Sequence, residues 1–199
     1  MGKLIEKIVT RRLQFDAIKY GILHPNQLEG VAQQSTEDAS VFLTHLVQAG
    51  WAKGLKTSII AFDITQFFPS LNHSMLTSIL SHFGFANCIV DFFSNYLVGR
   101  STQNSFFSRA YDTNVCMGQD FVLSPILSVL YIALLIRIFE HRAQALNLDT
   151  CILSFVDDGL LISQGKTYNK TLPELYNSYR VVTDLMVTFG LVIENLLLF

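Results

Sequence analysis

The stretch LSFVDDGLLIS, Leu153 to Ser163, places two adjacent carboxylates, Asp157 and Asp158, in the middle of an apolar run. Apolar residues on both sides predict two short strands joined by a tight turn, with Asp-Asp-Gly supplying turn residues that tolerate unusual dihedrals. A β-hairpin alone accounts for these residue types without any chemistry. A third acid changes the argument. Thr57 to Phe62 has the β-branched and aromatic content of a buried strand and ends abruptly on Asp63. If this strand lies beside the hairpin in one antiparallel sheet, Asp63 meets the acidic pair at the end of the strands. Converging carboxylates repel, and burial adds to the cost, so a divalent cation would offset both. Oxygen donors with no Cys or His nearby point to Mg²⁺ or Mn²⁺, and two such ions serve phosphoryl transfer.

Composition limits the alternatives. Half of the 199 residues are hydrophobic and 15% are charged, which is apolar for a domain that stands alone and suggests missing covering surface. The net charge of −2 argues against a strong electrostatic grip on nucleic acid. Cys88, Cys116 and Cys151 are odd in number and widely spaced. They indicate neither a zinc site nor a disulfide framework, and they fit a reducing intracellular setting, cytoplasm or nucleus. No signal-peptide pattern follows Met1. The segment from Phe121 to Ile136 is apolar throughout but short for a membrane span and carries Ser124, Pro125 and Ser128. It is expected to be a buried core helix, with no membrane partner.

The remaining pattern is mixed. The opening residues form an amphipathic helix with Leu4, Ile8, Phe15 and Ile18 roughly on one side. Ser35 and Asp38 form a capping box ahead of a helix carrying Ala39, Phe42, Leu43, Leu46 and Val47, which ends near Gly50. A helix burying Met75, Leu76, Ile79, Leu80 and Phe83 stops at Gly84, and another runs from about Asn87 to Val98. Residues 100–117 are expected to be extended. A core helix follows from about Leu123 to Arg142, then the acidic hairpin, then a long helix from about Lys170 to Phe189 with Leu172, Leu175, Tyr176, Tyr179 and Met186 inward. Strands separated by paired helices predict an α+β fold with an antiparallel sheet covered on one face.

Four segments, in order, resemble the reverse transcriptase domain of non-LTR (LINE-like) retrotransposons, particularly those of fungi. NQLEGVAQQSTEDA is similar to the family's Q-F-G-F-R-x-G-R-S-T-x-D-A segment, AFDITQFFPSLNH to its first palm motif, GQDFVLSPILSVLY to its P-Q-G-S-x-L-S-P segment, and FVDDG to its Tyr/Phe-x-Asp-Asp box. The likeness covers most of the chain. It implies a polymerase palm with partial fingers, residues 1–56 being partial fingers and 57–199 palm. The basic fingers segment would lie before Met1 and the thumb after Phe199, so truncation at both ends is expected.

The resemblance also implies residue roles. Asp63, Asp157 and Asp158 would hold two Mg²⁺ or Mn²⁺ ions, with the Ile64 carbonyl as a further ligand. Phe68 would exclude a ribose 2′-OH, although a core aromatic beside Pro69 explains it equally. Gln119 would contact the nucleotide. The partners implied are an RNA and DNA primer–template and deoxynucleoside triphosphates. Departures point the other way. Asp120 and Phe121 stand where the family has Gly-Ser, Gln34 stands where it usually has Arg, and no lysine follows Glu194. A bulky ring and a negative charge obstruct and repel a template or nucleotide, and lost cations weaken phosphoryl transfer. The expectation is therefore RNA-directed DNA polymerase chemistry that is impaired in this copy. The alternative is a non-catalytic palm fragment or interaction module derived from a retrotransposon. A metal-dependent phosphohydrolase built on the same acids lacks a Lys or Arg near either motif.

Overall fold

The computed structural model describes residues 2–28, 36–65, 67–97, 101–103, 110–112, 122–155 and 157–199. Its elements run α1 (Gly2–Lys19), α2 (Thr36–Ala52), β1 (Lys56–Ile64), α3 (Phe67–Ser70), α4 (His73–His82), α5 (Asn87–Leu97), β2 (Ser101–Gln103), β3 (Ala110–Asp112), α6 (Ser124–Ala145), β4 (Thr150–Phe155), β5 (Asp158–Gly165), α7 (Tyr168–Thr188) and β6 (Ile193–Leu198). The α+β class expected from the sequence is what forms.

The most apolar segment becomes the centre. Pro125 opens α6 in the first turn, where its missing N–H costs nothing. Leu127, Leu130, Tyr131, Ile136 and Phe139 are all buried, and the helix is long and apolar enough to cross a membrane, but 67% of its most apolar stretch is covered by protein. The Tyr131 hydroxyl donates to the Phe189 carbonyl, tying α6 to the end of α7. Burial pushes its pKa up to about 12, so this tie is a neutral hydrogen bond at any ordinary pH.

Four antiparallel strands form the main sheet in the order β4-β5-β1-β6. Side chains alternate between faces along β1: Ser58, Ile60, Phe62 and Ile64 are buried, and Thr57, Ile59, Ala61 and Asp63 are half-buried. The first set joins the large core under α6 and α7. Opposite it, Leu153 and Ile162 pack with Leu28 and with Leu43 and Leu46 of α2, so a helix also lies across the second face. Gln164 holds that helix in place, its side-chain amide donating to the Leu46 carbonyl at 3.0 Å and to the Thr57 hydroxyl at 3.1 Å. A Cβ on Gly50 would overlap this amide, so Gly50 sits within α2 as a close-approach position. The helix continues to Ala52 rather than stopping there.

One further expectation changes, and two features are new. In α7 the buried positions are Thr171, Leu175, Ser178, Val182, Leu185 and Met186, while Leu172 and Tyr176 face solvent. The inward stripe includes two hydroxyls because the sheet satisfies them: Thr171 bonds Ser58 at 2.9 Å and Ser178 bonds Thr150 at 2.7 Å. The side of α1 that carries Leu4, Ile8, Phe15 and Ile18 points to solvent. The last strand, β6, has no counterpart among the predicted elements. Asn72 caps α4 by accepting the Met75 N–H at 3.0 Å. Within the expected extended region, β2 pairs with β3. The rest of that region and Ser35 lie outside the described residues.

Candidate metal centre at the end of the central strands

Strands β1 and β5 are adjacent and antiparallel, and their last register pair is Asp63 opposite Asp158. Directly opposite residues share a face, so both carboxylates belong to the α2 side of the sheet. The hairpin places Phe155 opposite Asp158, and Asp157 lies in the connection between the two strands. This corrects the Asp-Asp-Gly turn: Asp158 and Gly159 already belong to β5, and neither has a positive φ. Gly159 is required by packing instead. It stands opposite Phe62, whose buried ring lies over it, and a Cβ there would overlap the ring.

Asp157 sits at the hairpin tip, and its carbonyl accepts the N–H of Ile64 at 2.9 Å. The loop is thereby fixed against the residue that follows Asp63. On the other side of β1, the pairing with β6 slips between Phe62 and Ile64. Phe62 faces Leu196 and Ile64 faces Ile193, so Asp63 stands opposite two residues. A bulge of this kind bends a strand and re-aims its side chains. Glu194, one of those two residues, accepts the Thr65 hydroxyl at 3.0 Å.

Asp158 feels the charges of the other two acids. Burial pushes the Asp158 carboxyl up from its ordinary value, and the charges of Asp157 and Asp63 push it further in the same direction. A carboxyl with a raised folded-state pKa binds more protons folded than unfolded, so its ionisation costs stability as pH rises. That cost is absent below the ordinary value of 3.8 and complete above the raised one. The variant Asp158→Asn should therefore match wild type well below pH 3.8 and, without divalent cations, melt at progressively higher temperature than wild type as pH rises above it, until the carboxyl is fully ionised in the folded protein. Paired thermal melts across that range check it, and an advantage that stays constant with pH would contradict it.

Asp63 and Asp158 line one end of a cavity of about 360 Å³ between α2 and the sheet, whose walls are otherwise mostly apolar, including Leu28, Leu43, Leu153 and Phe155. Phe68 is elsewhere: in α3, half-buried against the core, edge-on to Phe67 at 5.5 Å. Ile64 is buried beside Asp63. Gln119 lies outside the described residues, as do Asp120 and Phe121. The sequence did not reveal the Phe62–Gly159 pair or the β6 bulge. The lone glycine inside a strand pattern was the available signal for the first.

Hard carboxylate oxygens, with no His or Cys in the set, fit a divalent cation such as Mg²⁺ or Mn²⁺ by donor chemistry. Among the described residues, however, no group of three or more Asp, Glu, His or Cys side chains is gathered closely enough to hold one. The backbone brings the acids to one end of the sheet, and their side chains have not converged on a common point.

The sequence pattern of the reverse transcriptase (RNA-dependent DNA polymerase) family matches residues 1–195. No curated protein matches the chain. Among solved structures, the chain is similar to apo telomerase from Candida tropicalis truncated from its C-terminal domain, with a TM-score of 0.72 and 14% identity over 97% of this chain and 40% of that one. Telomerase from Candida albicans in complex with a TWJ fragment of telomeric RNA gives a TM-score of 0.69 and 12% identity over 98% of this chain and 35% of the other. Such identities establish a shared fold. The chain spans 40% or less of the length of these structural relatives.

Proposed function

Because the chain belongs to the reverse transcriptase family, we propose that it is the palm of an RNA-directed DNA polymerase, residues 57–199, with partial fingers in residues 1–56. The observation that carries this reading is the register that sets Asp63 opposite Asp158 while the Asp157 carbonyl is bonded to Ile64. Asp63, Asp157 and Asp158 would hold two divalent cations, with the Ile64 carbonyl as a further oxygen ligand. Such ions, when bound, stabilise the charge that develops on oxygen during phosphoryl transfer. The protein's own part is to fix the acids: paired central strands and a docked loop leave them little freedom, which is what positioning catalysis needs. Phe68 would border the sugar of the incoming nucleotide and Gln119 would contact it. The partners would be an RNA and DNA primer–template and deoxynucleoside triphosphates.

The four motifs and their order support descent from a non-LTR retrotransposon of fungal type, working inside the cell. Asp120, Phe121 and Gln34 support impaired nucleotide addition in this copy. The spread of the three acid side chains supports a second reading, a palm that has become a non-catalytic interaction module. Mg²⁺-dependent extension of a primer on an RNA template, with an Asp157→Asn control, separates the two. Slow extension that disappears in the control is expected. No extension by protein whose circular dichroism shows it folded would assign the chain to the second reading.

A further inference from the structure

Helix α1 is built with its acids inside. Glu6 and Asp16 are buried, together with Leu13 and Ala17. Glu6 accepts the Tyr96 hydroxyl at 2.6 Å, and Asp16 accepts from Arg12 Nε at 2.8 Å. The outward side carries Leu4, Ile8, Phe15 and Ile18, which are 57% to 62% exposed.

The spacing of this stripe is informative. Positions 4, 8, 11, 15 and 18 alternate steps of four and three, the a/d seam of a helix that packs along another helix. Arg11 occupies the middle place of that seam, and Lys7, Arg12 and Lys19 fall at the flanking e and g positions, all exposed. Five of the chain's fourteen basic residues lie in these eighteen positions, and neither acid of α1 faces outward. Lys19 Nζ lies 5.8 Å from the centre of the Phe15 ring, bordering the seam with charge.

We propose that α1 is a docking helix for an amphipathic helix of another protein, with an apolar a/d seam and Asp or Glu at its e and g positions. Charge decides the occupant. A second copy of this chain would set Lys7, Arg12 and Lys19 against themselves and Arg11 into a shared seam, which repels. A lipid surface favours a broad apolar face, whereas this stripe, widened only by Ile5 at its N-terminal end, is narrow, interrupted at Arg11 and flanked by cations. Nucleic acid would engage the cations but leave the apolar seam open to water. An acidic amphipathic helix satisfies both parts, and a carboxylate facing Arg11 would set its register.

The test uses the full chain and two labelled heptad peptides of about three heptads, with Leu at a and d. One peptide carries Glu at e and g and the other carries Lys, and binding is read by fluorescence anisotropy. The Glu peptide should bind at least ~10-fold tighter than the Lys peptide. Ile8→Ser or Phe15→Ser should weaken it by a similar factor without changing the melting temperature, because both side chains are exposed. The double variant K7E and K19E should shift the preference toward the Lys peptide, which no purely structural role of these residues would do. Binding of the Glu peptide that ignores Ile8→Ser and Phe15→Ser would reduce the effect to charge attraction and overturn the proposal. So would Ile8-dependent capture of phosphatidylserine vesicles or of RNA without peptide binding, or self-association that Phe15→Ser abolishes.

Discussion

Asparagine in place of Asp63 should raise the melting temperature of the cation-free protein and erase the rise that Mg²⁺ or Mn²⁺ gives the wild type. The two effects share one cause. Asp63 lies opposite Asp158 across the ladder and contributes to the upward shift of that carboxyl, so neutralising it relieves repulsion when no cation is present. The same charge attracts a cation. At a cation concentration ten times its dissociation constant, the wild type gains about 1.4 kcal/mol from binding. For a chain of this size that is about 3–5 °C. Thermal melts with and without divalent cation read both signs together. A lower melting temperature in the variant, with the cation response intact, would make Asp63 a purely structural residue and remove it from the site.

The second large effect concerns the pair that positions the acids. Gly159→Val introduces a branched side chain where even a methyl group would overlap the buried Phe62 ring. Overpacking of this kind costs about 1–3 kcal/mol, and moving the ring aside would disturb the core beneath α6 and α7 to which it belongs. The expected result is destabilisation near the top of that range. Combining Gly159→Val with Phe62→Leu should recover part of the loss, so the double variant is more stable than the sum of the singles by about 1 kcal/mol. Denaturant melts of the four proteins measure that coupling. Strict additivity would show that the two residues do not meet and that the register of β1 and β5 is held by something else.

The parts of the fold legible in the sequence are those where one residue type answers one physical demand. β1, the acidic hairpin and α6 are apolar or β-branched runs with clear ends, and each forms within a few residues of its predicted limits. Directions were harder to read. The outward face of α1 has the apolar residues of a core, and the inward face has two carboxylates: Asp16 is met by Arg12 four residues earlier in the same helix, and Glu6 by Tyr96, a partner that only the tertiary structure identifies. Thr171 and Ser178 are buried in α7 for the same reason, their hydroxyls being met by Ser58 and Thr150 from the sheet.

β6 escaped prediction because Leu196, Leu197 and Leu198 are all about half-exposed. A run of adjacent leucines shows no alternation to detect. The placement of Asp63 beside the hairpin depended on which strands are neighbours, and the sequence offered that only as a condition. The finer geometry, the slip against β6 and the Gly159–Phe62 contact, arises from pairing across more than 90 residues of chain.

The most direct test is Mn²⁺ binding followed by electron paramagnetic resonance, in which free Mn²⁺ gives the signal and bound Mn²⁺ loses it. Wild type should deplete the free signal, and Asp63→Asn and Asp157→Asn should each restore most of it while remaining folded. Depletion that survives both substitutions, or none in folded wild type, would contradict a cation site at the end of the central strands.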